Sequence, residues 1–377
     1  MVKKIIKLSK SSLSIKEKIL VKKVLDNNFL GMGPVVKKFE EKLSKFFNQR
    51  AVCFNSGTAA LHVALQAIGI KPNDEVLVPS ITYIATFQSI TASGAKPIIC
   101  DVEKESLQIS IDDIKKKITK KTKAIVPIHY AGSACEIDKI LLLAKKNKTR
   151  VIEDAAHAFG TIYKNKKIGG FGDITCFSFD GIKNITSGEG GCLVTNDKSV
   201  IKASQDIRLL GVSNESVKRY SGHRSWINDV KVQGWRYHMS DINAAIGIGQ
   251  LLRFKSFSLK RKMLCKYYDK KFKNHPLIKT FKRDFKNEVP HIYVIRIPNL
   301  KKRENLRKQL LKFKIQTGIH YYPGYKFSKF KLNKFFFPNT EEIFKEIITL
   351  PLHVDLQKKD IDYICKKIDG ILKFKKH

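Results

Sequence analysis

Apolar positions fall into two textures along this chain. Between residues 51 and 195 short, near-continuous apolar runs recur: AVCFN (51–55), EVLVPS (75–80), PIICDV (97–102), AIVPIHY (124–130), RVIED (150–154), ITCFSF (174–179) and GCLVT (191–195). Runs of this kind suit strands covered on both faces. Helix-length segments separate several of them. The segment GTAALHVALQAIGI, directly after the first run, carries Leu61, Leu65 and Ile68 at helical spacing. This order predicts an α/β fold, a large mostly parallel sheet with helices on both faces. Beyond a predicted helix SDINAAIGIGQLLRF (240–254) the texture changes. There HIYVIRI (291–297) alternates like a half-exposed strand, and KKRENLRKQLLKF (301–313) and KKDIDYICKKIDGIL (358–372) read as helices. We place a large domain over residues 1–254, with an N-terminal arm, and a smaller α+β domain over 255–377.

Composition narrows the class. With 377 residues and 43% hydrophobic content the chain has ample core for both domains. No apolar run approaches the roughly 18 residues needed to span a bilayer. The basic start MVKKIIKLSK is not followed by an apolar secretory segment. The expectation is a cytoplasmic protein with no integral membrane segment. The seven cysteines are scattered and never in CxxC spacing, which points to reduced thiols and no metal site. Charge is the loudest feature: 72 basic against 34 acidic residues give +38, and residues 251–377 alone hold 33 Lys and Arg against 11 Asp and Glu. The excess is spread through KK and KxK doublets and is mostly Lys, not the Arg suited to base readout, and no recognition motif accompanies it. A nucleic-acid partner is therefore not expected. A solvated lysine-rich surface is the plain reading; attraction of an anionic small substrate or an acidic lipid surface is the functional one.

In such sheets, chemistry gathers in loops at the carboxyl ends of the strands. There is no GxGxxG after the first strand and no GxxxxGK[ST] anywhere, which removes the main support for dinucleotide and P-loop readings. Four polar clusters do fall in those loops. Ser56-Gly57-Thr58 opens a helix and offers backbone N–H groups to a phosphate, although the same residues serve simple capping. Pro79 to Tyr83 can lay an aromatic ring in the crevice. Glu153-Asp154 ends a strand and points at least one carboxylate inward, where it needs a cation or donor as partner. Ser178 and Lys183 lie at the end of ITCFSF, the lysine within GIKNITSGEGG (181–191). A desolvated lysine is neutral enough to condense with an aldehyde, and a carboxylate facing a ring nitrogen keeps that nitrogen protonated. Together these parts suit pyridoxal 5'-phosphate (PLP).

The segments NSGTAALH (55–62), EVLVPSITYIAT (75–86), VIEDAAHAFG (151–160), FSFDGIKNITSGEGG (177–191) and GWRYHMSDINAAIG (234–247) resemble the DegT/DnrJ/EryC1/StrS family of PLP-dependent nucleotide-sugar aminotransferases. Similarity runs in order from GPVVKKFEEKL (33–43) to TGIHYYP (317–323) and TLPLHVDL (349–356). The resemblance implies the aspartate-aminotransferase fold (fold type I) and a homodimer with active sites shared at the subunit interface. It implies Lys183 as the catalytic lysine, holding PLP as a Schiff base and shuttling protons, and Asp154 as partner of the pyridine nitrogen. Tyr83 would stack on the ring; Gly57, Thr58 and Ser178 would hold the phosphate. His157 would lie against the cofactor and His320 near substrate; Glu189 would either contact substrate or support the glycine turn. Many members carry Asn in GYNYRM where this chain has Arg236 in GWRYHM. That guanidinium is expected either on the partner subunit's cofactor phosphate or on the substrate diphosphate. The implied reaction moves an amino group, from L-glutamate in most of the family, to a keto sugar linked to a nucleoside diphosphate. Surface polysaccharide or O-antigen synthesis is the implied context. A PLP-dependent sugar dehydratase, which has His in place of the lysine, and a PLP-binding regulatory homologue are the alternatives.

Overall fold

The computed structural model describes residues 5–213, 229–298 and 303–373. Seven of its strands form one sheet: β1 (Arg50–Phe54), β2 (Glu75–Pro79), β3 (Lys96–Cys100), β4 (Thr122–Ile125), β5 (Arg150–Asp154), β8 (Ile174–Ser178) and β9 (Gly191–Thr195), while β6 (Ile162–Tyr163) and β7 (Lys166–Lys167) make a small hairpin apart. Their order across the sheet is β1-β9-β8-β5-β4-β2-β3. The pairs β2/β3, β2/β4, β4/β5 and β5/β8 are parallel, and only β9 runs against its neighbours β8 and β1. The seven apolar runs of the sequence are these seven strands. Their residues are buried on both faces because helices cover both. Val52, Phe54, Val76, Val78 and Ile152 pack into one core with the helix Gly57–Ala67, while Ala51, Cys53, Cys192 and Val194 pack into another with the helix Pro34–Phe47. AIVPIHY is strand only at its start. Past Ile125 the chain leaves the ladder, with a single bridge from Ile128 to Asp154 and a turn at Tyr130–Gly132.

The C-terminal part carries a three-stranded antiparallel sheet, β10 (Lys279–Thr280), β11 (Tyr293–Arg296) and β12 (Ile347–Leu350). The half-exposed alternation expected of HIYVIRI is not what the structure shows, since all four residues of β11 are buried. It is the middle strand. Tyr293 stacks on Tyr268 with ring centroids 4.4 Å apart, Val294 packs on the other face with Ile343 and Ile347, and Arg296 meets Glu346 at 2.9 Å. The arginine reads as solvent-facing in the sequence because its ion-pair partner comes from a distant helix. The predicted helices at 301–313 and 358–372 are Arg303–Lys312 and Lys358–Ile371; Lys301 and Lys302 lie outside the described residues.

The helix expected over 240–254 runs on without a break from Asp241 to Phe272. Ser240 caps it, its side chain accepting the Asn243 N–H. No proline or glycine lies between Gly249 and its last residue, Phe272, to stop it earlier. The buried face rotates on the way: Ala244 and Ile248 join the core of the large sheet's layers, whereas Leu264, Cys265, Tyr268 and Phe272 enter the C-terminal core. The division expected near residue 255 thus falls inside one helix. Asp241 also caps in trans. Its carboxylate accepts the N–H groups of Gly33 (2.9 Å), Val35 (3.3 Å) and Val36 (2.9 Å), at the start of a helix whose own N-cap, Gly33, has no side chain to offer. The N-terminal arm is latched to the same long helix. Glu17, buried, accepts from Gln250 (2.8 Å) and Arg253 (2.9 Å), and further along the arm Ile6 bridges to Ile315.

Candidate active site

The carboxyl ends of β2, β5 and β8 open into a cavity of about 390 Å³. One wall is the start of the helix Gly57–Ala67. Ser56 caps it by accepting the Ala59 N–H at 3.0 Å, and the first intrahelical bond runs from Ala60 N–H to the Ser56 carbonyl. The N–H groups of Gly57 and Thr58 precede that bond and face outward at the positive end of the helix. Three backbones meet closely there. A Cβ on Gly57 would stand 2.8 Å from the Ser178 Cβ, and one on Gly191 would stand 2.5 Å from the Ser56 carbonyl oxygen and 2.7 Å from the Gly57 Cα. Only glycine fits at either position. Ser178, ending β8, accepts the Asp180 N–H at 3.4 Å, which leaves its own hydroxyl proton to donate.

Asp154 ends β5 and is buried at the cavity floor. Its Oδ1 accepts the Ala156 N–H at 3.1 Å and its Oδ2 the Thr86 hydroxyl at 2.9 Å; Thr86 in turn meets Thr82 at 3.0 Å. Burial raises its carboxyl above the ordinary value, while the Ala156 and Thr86 bonds and the Lys183 charge hold it down. Glu153, one residue earlier, points the opposite way. It lies against His129 (2.9 Å) and Thr175 (3.1 Å), fully buried and outside the cavity lining. Period-two alternation of a strand makes this inevitable: of two adjacent acids only one can face a given side.

Lys183 sits in the loop after β8. The loop turns through a bond from its own N–H to the Asp180 carbonyl (3.0 Å) and closes with Ser187 N–H on the Phe179 carbonyl (2.9 Å). Gly188, at φ +81°, makes the return, and the Asn243 side chain braces it through the Ser187 carbonyl at 2.7 Å. Burial lowers the Lys183 ammonium below its ordinary value, against the opposing pull of Asp154 and Asp180. That is the direction an amine needs to act as nucleophile and base near neutrality.

His157 is buried between Tyr130, His291 and Tyr321, its ring 4.3 Å from that of His291. Its Nδ1 accepts the Ala131 N–H (3.3 Å), so the ring proton is on Nε2 and is donated to the Tyr321 hydroxyl at 2.7 Å. Burial, with Lys183 and His320 adding to it, holds its pKa well below that of a free histidine. His320, at the rim, bonds Thr349 at 2.9 Å and is lowered to about 4, first by burial and then by Lys183. Tyr83 is 59% exposed over the mouth, its ring 5.7 Å from that of Tyr321.

The structure therefore brings Gly57, Thr58, Tyr83, Asp154, His157, Ser178, Lys183, Glu189 and His320 to one cavity. Arg236 is not among its lining residues; it is exposed beside Asn55, whose side chain bonds the Arg236 carbonyl at 3.4 Å. Among the lining or supporting residues that escaped the sequence reading are Thr86, Asp180 and Tyr321. Thr86 stands three residues after Tyr83, one helical turn on, and Tyr321 directly follows His320, so both lay inside stretches already singled out.

The profile of the DegT/DnrJ/EryC1/StrS aminotransferase family matches residues 12–369. The chain belongs to that family. It is 37% identical over 363 residues to GDP-perosamine synthase of Escherichia coli O157:H7, covering 95% of this chain and 96% of that one. With the spore coat polysaccharide biosynthesis protein SpsC of Bacillus subtilis it shares 34% over 364 residues, 94% of this chain and 93% of the other. Among solved structures, Spr1654 of Streptococcus pneumoniae in its PLP form superposes with a TM-score of 0.90 at 29% identity, covering 98% and 99% of the two chains. PseC of Helicobacter pylori, an aminotransferase of pseudoaminic acid biosynthesis, gives 0.89 at 28%, covering 98% and 100%. The protein is a PLP-dependent sugar aminotransferase with the fold of that family, as its sequence resemblance implied. The cavity fits the cofactor on its own terms: a close-packed glycine cradle at a helix N-terminus for the phosphate, and a buried carboxylate and a buried lysine on the ring side.

Proposed function

We propose that the enzyme transfers an amino group from L-glutamate to a keto sugar linked to a nucleoside diphosphate, with Lys183 as catalytic base and Asp154, Tyr83, Gly57, Thr58, Ser178 and His157 holding PLP. The observation that carries this is the convergence of Lys183 and Asp154 on one cavity that opens at the N-terminus of the helix Gly57–Ala67. When bound, PLP supplies an aldehyde that takes up the amino group and a ring that accepts the electron pair left when a C–H bond breaks. Asp154 keeps the pyridine nitrogen protonated, its charge sustained by the Ala156 and Thr86 bonds. Lys183, lowered by burial, takes the proton from the donor carbon at Nζ and returns it on the other side of the transfer. The helix N-terminus and the Ser178 hydroxyl bind the phosphate. His157, neutral and fixed as the Nε2–H tautomer, orients Tyr321 rather than carrying charge. Glu189 and His320 at the rim meet the sugar.

A homodimer is part of the reading. The exposed position of Arg236 outside its own cavity supports a contact with the partner subunit's cofactor phosphate; the substrate diphosphate is the other anion it suits. The relatives named for perosamine synthesis and for spore coat polysaccharide biosynthesis support a role in making an amino sugar for a surface polysaccharide; O-antigen as the product's destination and the cytoplasm as the place of the reaction complete the proposal. The test is incubation with L-glutamate and a panel of nucleotide-linked 3- and 4-keto sugars, following product mass and amine position. Lys183→Ala is expected to abolish turnover while leaving the fold intact by circular dichroism. Wild-type-like turnover in that variant overturns the assignment.

A further inference from the structure

One stretch of the lysine excess differs from the rest. Residues 326–337, KFSKFKLNKFFF, hold four lysines and five phenylalanines with no acidic residue. The segment follows Gly324, which sits against the Phe87 ring, and Tyr325, buried in the same core, and continues in short helical turns. Its apolar residues divide by depth. Phe330 and Phe337 are buried and Phe327 is partly buried against the large-sheet core, whereas Phe335 is 79%, Phe336 63% and Leu332 49% exposed. Lys329, Lys331 and Lys334 are exposed beside them. Of the segment's lysines, Lys326 alone has a carboxylate partner among the described residues, Glu341 at 2.5 Å. The nearby Glu342 is already bridged to Lys104, so the two carboxylates next along the chain leave those three lysines unneutralised. The Asn333 side chain accepts the Phe335 N–H at 3.1 Å, which fixes the turn that presents the two rings.

Two adjacent phenyl rings and a leucine left in water, ringed by three unneutralised lysines, match an anionic bilayer surface. The rings enter the headgroup boundary and the ammonium groups meet lipid phosphates. Single-stranded nucleic acid is the other polyanion that uses basic and aromatic residues together. Its site stacks successive bases on aromatic faces, often with Arg, whereas here the segment has no Arg and one of its three exposed apolar groups is an aliphatic leucine. We propose that this surface docks the enzyme on the face of a membrane containing anionic lipid, peripherally and reversibly. The inference does not depend on which sugar is aminated.

The PLP-loaded enzyme would be floated with vesicles of phosphatidylcholine alone and of phosphatidylcholine with phosphatidylglycerol. Binding is expected only to the anionic vesicles and should weaken as salt rises from ~0.1 to ~0.5 M, which shortens the range of the lysine charges. Each lysine near such a surface is worth about fivefold in partition, so Lys329, Lys331 and Lys334→Gln together should lose on the order of 100-fold. Phe335→Ser with Phe336→Ser should lose at least about tenfold, since a basic patch and an apolar insertion are needed together. The same charge removed at Lys116, Lys120 and Lys121 should cost much less. All three variants should keep the PLP absorbance and turnover of the parent. The proposal is overturned by equal binding of parent and variants, by no preference for anionic vesicles, or by tighter retention on single-stranded RNA with the same residue dependence. A fall in oligomeric state by light scattering in the Phe335→Ser, Phe336→Ser variant would equally overturn it, showing the rings to be a protein contact.

Discussion

Asp154→Asn is the sharpest single test of how the cavity is wired. The substitution keeps shape and removes charge. The amide oxygen can still accept the Ala156 N–H, which lies 3.1 Å from the carboxylate Oδ1 of the parent. The new amide nitrogen must then face Thr86, which stops donating at 2.9 Å and has to accept, reversing the Thr82 to Thr86 bond behind it. Hydroxyls can turn, so the fold should tolerate this with little loss of stability. Cofactor affinity should not. A hydrogen bond between charged groups contributes about 1.5–3 kcal/mol, so the dissociation constant for PLP should rise about 10- to 150-fold. Turnover at saturating PLP should fall further, on the order of 100-fold, the usual scale for losing a preorganised charge at the reacting centre. Titration of the apoenzyme by absorbance gives the first quantity and single-turnover kinetics the second. Parental affinity and parental kcat in the Asp154→Asn variant would refute the assignment of this carboxylate to the ring nitrogen.

Gly57→Ala should leave the protein folded but weaken PLP binding by at least about tenfold, because the new methyl, 2.8 Å from the Ser178 Cβ, displaces a wall of the phosphate seat; overpacking of this kind costs ~1–3 kcal/mol. Apo-protein melting and PLP titration separate the two effects. Acid stability follows from His157 and His320, whose folded pKa values are lowered. Below the unfolded value of 6.5 the unfolded chain binds protons that the folded one does not, so stability present above pH 6.5 is lost as pH falls towards about 4. His320→Asn should flatten the melting temperature of the apoenzyme over that range. Arg208, fully buried, bonds Glu40 at 2.5 Å and the Cys53 carbonyl at 2.8 Å. Arg208→Met should destabilise by about 3–5 kcal/mol in urea unfolding, and Glu40→Met added to it should recover part of that loss.

The sheet was legible because strands covered on both faces read as short, largely apolar runs, and the runs RVIED and GCLVT match β5 and β9 residue for residue. The long helix was cut short because its buried face rotates, so the apolar spacing of residues 240–254 does not continue in register through Leu264 and Tyr268. In the site, glycines, Lys183 and Asp154 stood out because their chemistry is local to a loop. Thr86 and Tyr321 did not, since each acts through a partner more than 60 residues away, Asp154 and His157 respectively. The direction of Glu153 could have been read from strand alternation alone. The trans cap of Asp241 could not, because nothing in the sequence ties it to Gly33.

The helix Asp241–Phe272 also sets what the molecule can do mechanically. At 1.5 Å per residue its 32 residues make a rod of about 48 Å. It is pinned at its start by Asp241, clamped along its first half to Glu17, and embedded at its far end in the C-terminal core. Swinging the two cores apart would require levering this whole shaft, since it offers no loop on which to pivot. Access for a bulky sugar nucleotide therefore falls to the short segments at the cavity mouth, around Tyr83 and Tyr321, and the stiffness of the shaft keeps the large-sheet core and the C-terminal core in fixed relation while those segments yield.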